Sequence, residues 1–290
     1  MFGSGFSISL ILLLICHFIG DYYFQTNKTA RLKENNFRKT VEHSVIYSLP
    51  FLFLLVILLF LIPMNFYTIS IIAGVIISHA AIDFLKCFVE YFGYKKENSQ
   101  QNNPPNNSQN NLQNNLQNNS QNNLHNPQNN PQKTNEIKRV LYFVDQGLHL
   151  FFVFIFAFFL SSSVDFYFIS ADFHIFLKWI LFAVAVSKPV NVSFKKFFEK
   201  YQPIENDDPV QQTSVSGAGS IIGTLERYLM GIFIGANQFA ALGLVIAAKS
   251  IARYDQISQN KLSAEYFLIG TLYSVLATLI IYFALFIGLD

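Results

Sequence analysis

Phe6-Ser7-Ile8-Ser9-Leu10-Ile11-Leu12-Leu13-Leu14-Ile15-Cys16-His17-Phe18-Ile19-Gly20-Asp21 is a long apolar run that ends on a histidine and an aspartate. It is apolar enough to lie in hydrocarbon, yet its end carries ionisable groups that hydrocarbon penalises unless they face a polar interior. No basic residue precedes the run and no small-x-small cleavage site follows it. It therefore reads as a retained first membrane helix and not as a signal peptide. Comparable runs recur at about 43–62, 66–88, 140–160, 173–186 and 266–288. Over 290 residues the chain is 52% hydrophobic and 13% charged, where a soluble domain carries about a quarter charged residues. The expected fold class is all-α, a polytopic transmembrane helix bundle of about 7 to 8 membrane segments.

The stretch 221–251 is open to two readings. It is one long helix, or two short helices broken around Gly235-Ala236-Asn237-Gln238, where glycine and asparagine are poor helix-interior residues. Basic residues favour the second, because cytoplasmic loops carry the excess lysine and arginine. Lys28, Arg31, Lys33, Arg38 and Lys39 mark the loop after helix one as cytoplasmic, which puts the N-terminus outside. Uncharged Pro63-Met64-Asn65 suits an outer turn, and Lys86, Lys95, Lys96, Lys133, Lys138 and Arg139 return the next connection to the inside. Lys188, Lys195, Lys196 and Lys200 are inner again, and a hairpin over 221–251 keeps Lys249, Arg253 and Lys261 inside as well. The chain then divides into helices one to three (1–97), an Asn/Gln-rich cytoplasmic loop (98–133), helices four and five (134–200), and a C-terminal hairpin with a last helix (201–290). That Asn/Gln loop has too little apolar surface to offset the entropy of ordering and is expected to be disordered. The expected setting is the inner membrane, with the lipid bilayer as the main partner and oligomeric state unassigned.

Several function classes are excluded. A net charge of +2 offers no basic surface for nucleic acid. Cys16 and Cys87 give no disulfide framework. Gly217-Ala218-Gly219-Ser220-Ile221-Ile222-Gly223 has no strand before it and is not a dinucleotide loop.

The chemistry concentrates in repeated pairs: His17 with Asp21, His79 with Asp83, and Asp145 with His149, all at i,i+4. That spacing puts both side chains of a pair on one helix face. Helix four runs opposite to helices one and three and carries the aspartate first, so all three histidines lie deeper than their aspartates. Glu42 and His43 open helix two at the same end. Nitrogen and oxygen donors without thiolate suit zinc, manganese or iron as a divalent metal. The candidate ligands are His17, Asp21, His43, His79, Asp83, Asp145 and His149, with Glu42 or Asp145 as a general base. A hydrogen-bonded network joining helices is the alternative reading. Gln25, Lys86 and Gln146 thicken the cluster, Lys86 reading as a side chain that snorkels to the headgroups. Helices one and two and helices three and four look like two similar hairpins that close a four-helix bundle. In the second half, Glu226, Arg227, Lys249 and Arg253 read as structural ion pairs across the hairpin or as a basic pocket for a lipid or substrate phosphate.

The set His17-Phe18-Ile19-Gly20-Asp21 with Gln25, His79-Ala80-Ala81-Ile82-Asp83 and Asp145-Gln146-Gly147-Leu148-His149 resembles a bacterial and archaeal multi-pass membrane family known only as a domain of unknown function. Leu225-Glu226-Arg227, Ala247-Ala248-Lys249-Ser250-Ile251-Ala252-Arg253 and Glu265-Tyr266-Phe267-Leu268-Ile269-Gly270-Thr271 look like the C-terminal motifs of its longer members. A weaker likeness is to membrane-bound metal-dependent hydrolases, through Glu42-His43-Ser44 and His79 with Asp83. Glu42 stands where that pattern has threonine. The resemblance implies a metal-dependent hydrolase, and the expected substrate is a lipid-linked or small cytosolic molecule. A proton- or ion-coupled carrier and a non-catalytic scaffold or sensor use the same residues and remain open.

Overall fold

The computed structural model describes residues 3–25, 36–61, 66–101, 131–202, 217–252, 254 and 261–289. The loop cations Lys28, Arg31 and Lys33, the turn Pro63-Met64-Asn65 and most of the Asn/Gln segment lie outside these residues. Helix α1 is Ser4–Phe18, continued by a π turn over Ile19–Tyr23. The others are α2 (Phe37–Leu61), α3 (Phe66–Gln101), α4 (Pro131–Ser163), α5 (Ala171–Val186), α6 (Lys188–Phe198), α7 (Ala218–Gly235), α8 (Phe239–Ala252) and α9 (Lys261–Phe286). Among the described residues there is no strand, so the all-α expectation holds. Among the described residues, six segments are long and apolar enough to cross a membrane: Ser4–Tyr23, Phe37–Leu61, Phe66–Phe92, Glu136–Ser163, Ala171–Tyr201 and Ala264–Phe286. The 221–251 stretch is the two-helix version, broken at Asn237, whose φ of 56° is left-handed.

Helices α1 to α4 form a closed ring, α1 on α2, α2 on α3, α3 on α4 and α4 back on α1. Leu13, Phe51, Ile72, Ala157 and Leu160 fill its apolar core. A second group hangs on α1: α5 packs against it, α9 against α5, and α7 against α9 and α8. Ile11, Leu181, Phe182, Val186 and Leu285 make that second core. The outer faces are strongly apolar, with Phe60 87%, Phe66 83% and Phe53 68% exposed. Charge inside and phenylalanine outside reverses the usual arrangement of a water-soluble bundle.

Two local breaks shape the molecule. The π turn holds Gly20 and Asp21, and such one-turn bulges re-aim side chains within an otherwise regular helix. A Cβ at Gly20 would sit 2.8 Å from Tyr47 Cδ2 and 3.0 Å from the Tyr47 carbonyl oxygen. Only glycine lets α1 and α2 approach this closely. Helix α1 ends with this turn, so Gln25 lies beyond the helical face that carries His17. The second break is at Ser187, between α5 and α6, with Pro189 in the first turn of α6. The break at Ser187 leaves the Val186 carbonyl without a helical N–H, and it accepts a hydrogen bond from Arg227 Nε instead.

Replacing Gly20 by alanine should push α1 from α2, an overpacking cost of about 1–3 kcal/mol. Thermal unfolding in mild detergent should show a lowered midpoint for Gly20→Ala, and an unchanged one for Gly243→Ala, whose Cβ would meet nothing within 4 Å.

Candidate metal centre

The ring of α1 to α4 brings the predicted ligands together. His17, Asp21, His43, His79, Asp83, Asp145 and His149 are all buried, none more than 5% exposed. The rings of His17, His79 and His149 are mutual neighbours, with centroids 6.0 Å (His17 to His79), 5.8 Å (His17 to His149) and 4.2 Å (His79 to His149) apart. His43 Nε2 lies 3.2 Å from Asp21 Oδ1 and 3.3 Å from Asp83 Oδ2. His79 Nε2 is 4.0 Å from Asp21 Oδ1, and its Nδ1 is 3.9 Å from Asp83 Oδ2. His149 Nδ1 is 3.8 Å from Asp145 Oδ1. Histidines therefore gather in one layer and carboxylates in the next, as the opposed order on α4 requires.

The hydrogen-bond pattern separates two readings of this cluster. In a structural network, buried imidazoles donate and accept with good alignment. Among the described residues, His17 Nε2 and both ring nitrogens of His43, His79 and His149 have no hydrogen-bond partner. Only His17 Nδ1 has one, the Tyr47 hydroxyl at 3.1 Å. Donors around one ion with bonds of about 2 Å stand about 3.3 Å apart at tetrahedral angles. The two His43 separations are of that size but not aligned as direct bonds, and those of His79 and His149, 3.8 to 4.0 Å, are too long for direct bonds. Two sets have donor atoms all within 4.8 Å of one another: Asp21, His43 and His79, and Asp83, Asp145 and His149. His17 belongs to neither set and stacks beside both.

The layer has a polar roof. Gln146 Nε2 donates to Asp21 Oδ2 at 2.9 Å and lies 3.4 Å from Asp145 Oδ2. Tyr22 donates to Gln146 Oε1 at 2.8 Å and meets the Tyr142 hydroxyl at 3.1 Å. Lys86 does not simply snorkel: its Nζ donates to Asp145 Oδ2 at 3.1 Å with the side chain 15% exposed. Asp145 Oδ1 stays without a hydrogen bond and faces His149. Tyr47 stacks on His79 with centroids 3.4 Å apart. Neither Tyr47 nor Tyr22 was singled out from sequence, although Tyr47 lies four residues after His43 on the same face of α2.

Glu42 is not brought to the cluster. Its side chain is 45% exposed and pairs with Lys39 at 2.5 Å, one turn back on the outer face of α2. In the second half, Glu226 accepts from Lys249 at 2.6 Å, a bridge from α7 to α8. Arg227 points elsewhere: besides Val186 it donates to Asn191 Oδ1 at 2.7 Å, Thr224 Oγ1 at 3.2 Å and Ser274 Oγ at 3.3 Å. It ties α5, α6, α7 and α9 together through neutral partners. Arg253 lies outside the described residues.

Glu226 and Lys249 are 14% and 16% exposed, so removing one partner strands a poorly solvated charge. Glu226→Gln should lower the thermal midpoint in detergent more than the double variant Glu226→Gln with Lys249→Met does. Equal midpoints for the two would show that the bridge is no more than a surface pair.

No curated protein and no solved structure matches the chain. The family model "Protein of unknown function (DUF3307)" matches residues 9–175. That span holds all seven candidate ligands, α2 to α4 and most of α1, while the Glu226, Arg227 and Lys249 region lies beyond it. With more than half of its length matched, and with the buried histidine and aspartate layer inside the matched part, the chain belongs to the DUF3307 family of proteins of unknown function.

Proposed function

We propose that this protein is a polytopic membrane protein whose first four helices hold a two-ion divalent metal centre, and that it acts as a metal-dependent hydrolase. The observation that carries the reading is the set of seven buried imidazole nitrogens with no hydrogen-bond partner among the described residues, four of which lie within 4.0 Å of the Asp21, Asp83 or Asp145 carboxylates. Burying such groups without partners costs about 1–3 kcal/mol each, and coordination removes that cost. Six or seven donors exceed the four that a tetrahedral ion takes, and two adjacent triads leave open positions on each ion. Zinc, manganese and iron suit these donors.

The setting follows from the six apolar segments and the exposed phenylalanines. Helices α7 and α8 bring the segment count to eight. At 14 residues, α8 is about 21 Å long and falls short of a hydrocarbon core of about 30 Å. The lysine distribution supports an N-terminus outside the inner membrane and a metal layer in its cytoplasmic half. Substrates would then be lipid-linked or small cytosolic molecules.

Bound divalent ions would lower the pKa of a coordinated water to about 7 and supply a hydroxide nucleophile. The chain's part is to hold the donors and exclude bulk water. Asp145 Oδ1 is the carboxylate oxygen available as a base, since Lys86 and Gln146 engage Oδ2. A hydrolase is favoured over a carrier because Gln146, Tyr22, Tyr142 and Lys86, the polar groups that cap the layer, extend it towards one end only. Between it and the Ser7–His174 hydrogen bond at the opposite end of α1, Leu10, Ile11 and Leu13 are buried in apolar packing. A carrier would need a polar path through both ends.

Elemental analysis of protein purified in mild detergent should give about two transition-metal ions per chain. His79→Ala and Asp145→Ala should lose metal, whereas Glu42→Gln should retain it in full. A folded wild type that takes up no zinc, manganese or iron would refute the centre. Metal-loaded protein that couples ion or proton uptake into vesicles, without hydrolysis, would replace the hydrolase with a carrier.

A further inference from the structure

Around the roof of the metal layer, three lysines from two helices converge on three tyrosines. Lys86 of α3 and Lys196 of α6 both approach the Tyr142 ring, with Nζ 5.8 Å and 6.0 Å from its centroid. Lys188 of α6 donates to the Tyr22 carbonyl oxygen at 3.3 Å and sits 5.2 Å from the centroid of the Tyr23 ring. Local packing fixes this arrangement: Phe197 of α6 stacks on Phe143 of α4 at 3.9 Å, which holds the neighbouring Lys196 over Tyr142. Lys188 and Lys196 are held by neutral partners alone, a carbonyl and two aromatic rings, so their charge is left for an anion to meet. The carboxylate within this group, Asp145, is engaged below by Lys86. Tyr22 and Tyr142 form the roof itself, so an anion held by the lysines would lie directly over the ligand layer.

We infer that this lysine and tyrosine rim binds a phosphate group, and that the substrate is a phosphate ester held with its phosphorus facing the metal layer. The substrate assignment rests on the metal-centre reading, whereas the anion site can be measured without it. In such a hydrolysis the water oxygen bonds to phosphorus, the ester P–O bond breaks, and one water proton goes to the departing alcohol oxygen. Entry requires the Tyr22–Tyr142–Gln146 roof to part, because the donors beneath are closed off from the surface. A lipid phosphate headgroup and a soluble phosphate ester offer the same chemistry to the rim. The lysines lie where either would arrive, at the end of the bundle to which α6 is turned by the break at Ser187.

The test uses the full chain in phosphatidylcholine nanodiscs, titrated calorimetrically with inorganic phosphate and, separately, with short-chain phosphatidic acid. Lys196→Gln and Lys188→Gln are compared with wild type and with Lys196→Arg, and metal content is measured on the same samples. Loss of one charge-assisted contact should weaken binding by about tenfold, with metal retained and with Lys196→Arg close to wild type. Weakening seen mainly with phosphatidic acid assigns the rim to a lipid headgroup, and weakening seen with inorganic phosphate assigns it to a soluble ester. Absence of binding to both probes, or equal binding in wild type and both glutamine variants, overturns the proposal. Lysine-dependent binding in protein that holds no metal would keep the anion site and remove the metal centre.

Discussion

Everything in the first four helices is subordinate to one constraint: seven ionisable side chains are buried in a bundle whose exterior is phenylalanine and leucine. A charge or a bare imidazole in such surroundings costs several kcal/mol unless something shares it. The chain meets that constraint by convergence. Each helix of the ring contributes at least one of these seven side chains, and the ring closes because α4 returns to α1. The glycine at position 20 and the π turn around it bring Asp21 against His43 of the neighbouring helix. The close stacking of Tyr47 on His79 then fixes the ring of the first set's histidine that also faces Asp83 of the second.

The second half of the chain serves the first through the break at Ser187. Pro189 ends α5, Arg227 takes over the Val186 carbonyl, and Ser187 hydrogen-bonds to the hydroxyls of Tyr23 and Tyr228. These contacts turn α6 across the end of the ring and lay its lysines beside Tyr22, Tyr23 and Tyr142. A buried arginine with only neutral partners is thereby explained by backbone geometry and not by a substrate charge. The α7 to α8 connection, held by Glu226 and Lys249, sits further out and does not touch the ligand layer.

Much of this was legible in the sequence. Histidine and aspartate four apart must share a helical face, and the reversed order on α4 placed all three histidines at one depth; the structure has this layering. The break near Asn237 could be read because asparagine tolerates the left-handed backbone that ends α7. Glu42 could not be placed, because a helix start leaves the direction of adjacent residues open, and one residue separates the buried His43 from the exposed Glu42 by about 100° of rotation. The role of Lys86 depended on Asp145, 59 residues away, which no local pattern reveals. The rim was hidden for the same reason, since its lysines and tyrosines meet only when α6 folds back.

The central claim is that the four helices coordinate a pair of metal ions through these imidazoles and carboxylates. X-ray absorption spectroscopy on zinc- or manganese-loaded protein tests it most directly. The account requires outer-shell scattering from histidine imidazole together with a metal-to-metal vector of about 3.5 to 4 Å. A spectrum of oxygen ligands alone, without imidazole scattering and unchanged in His79→Ala, would contradict it.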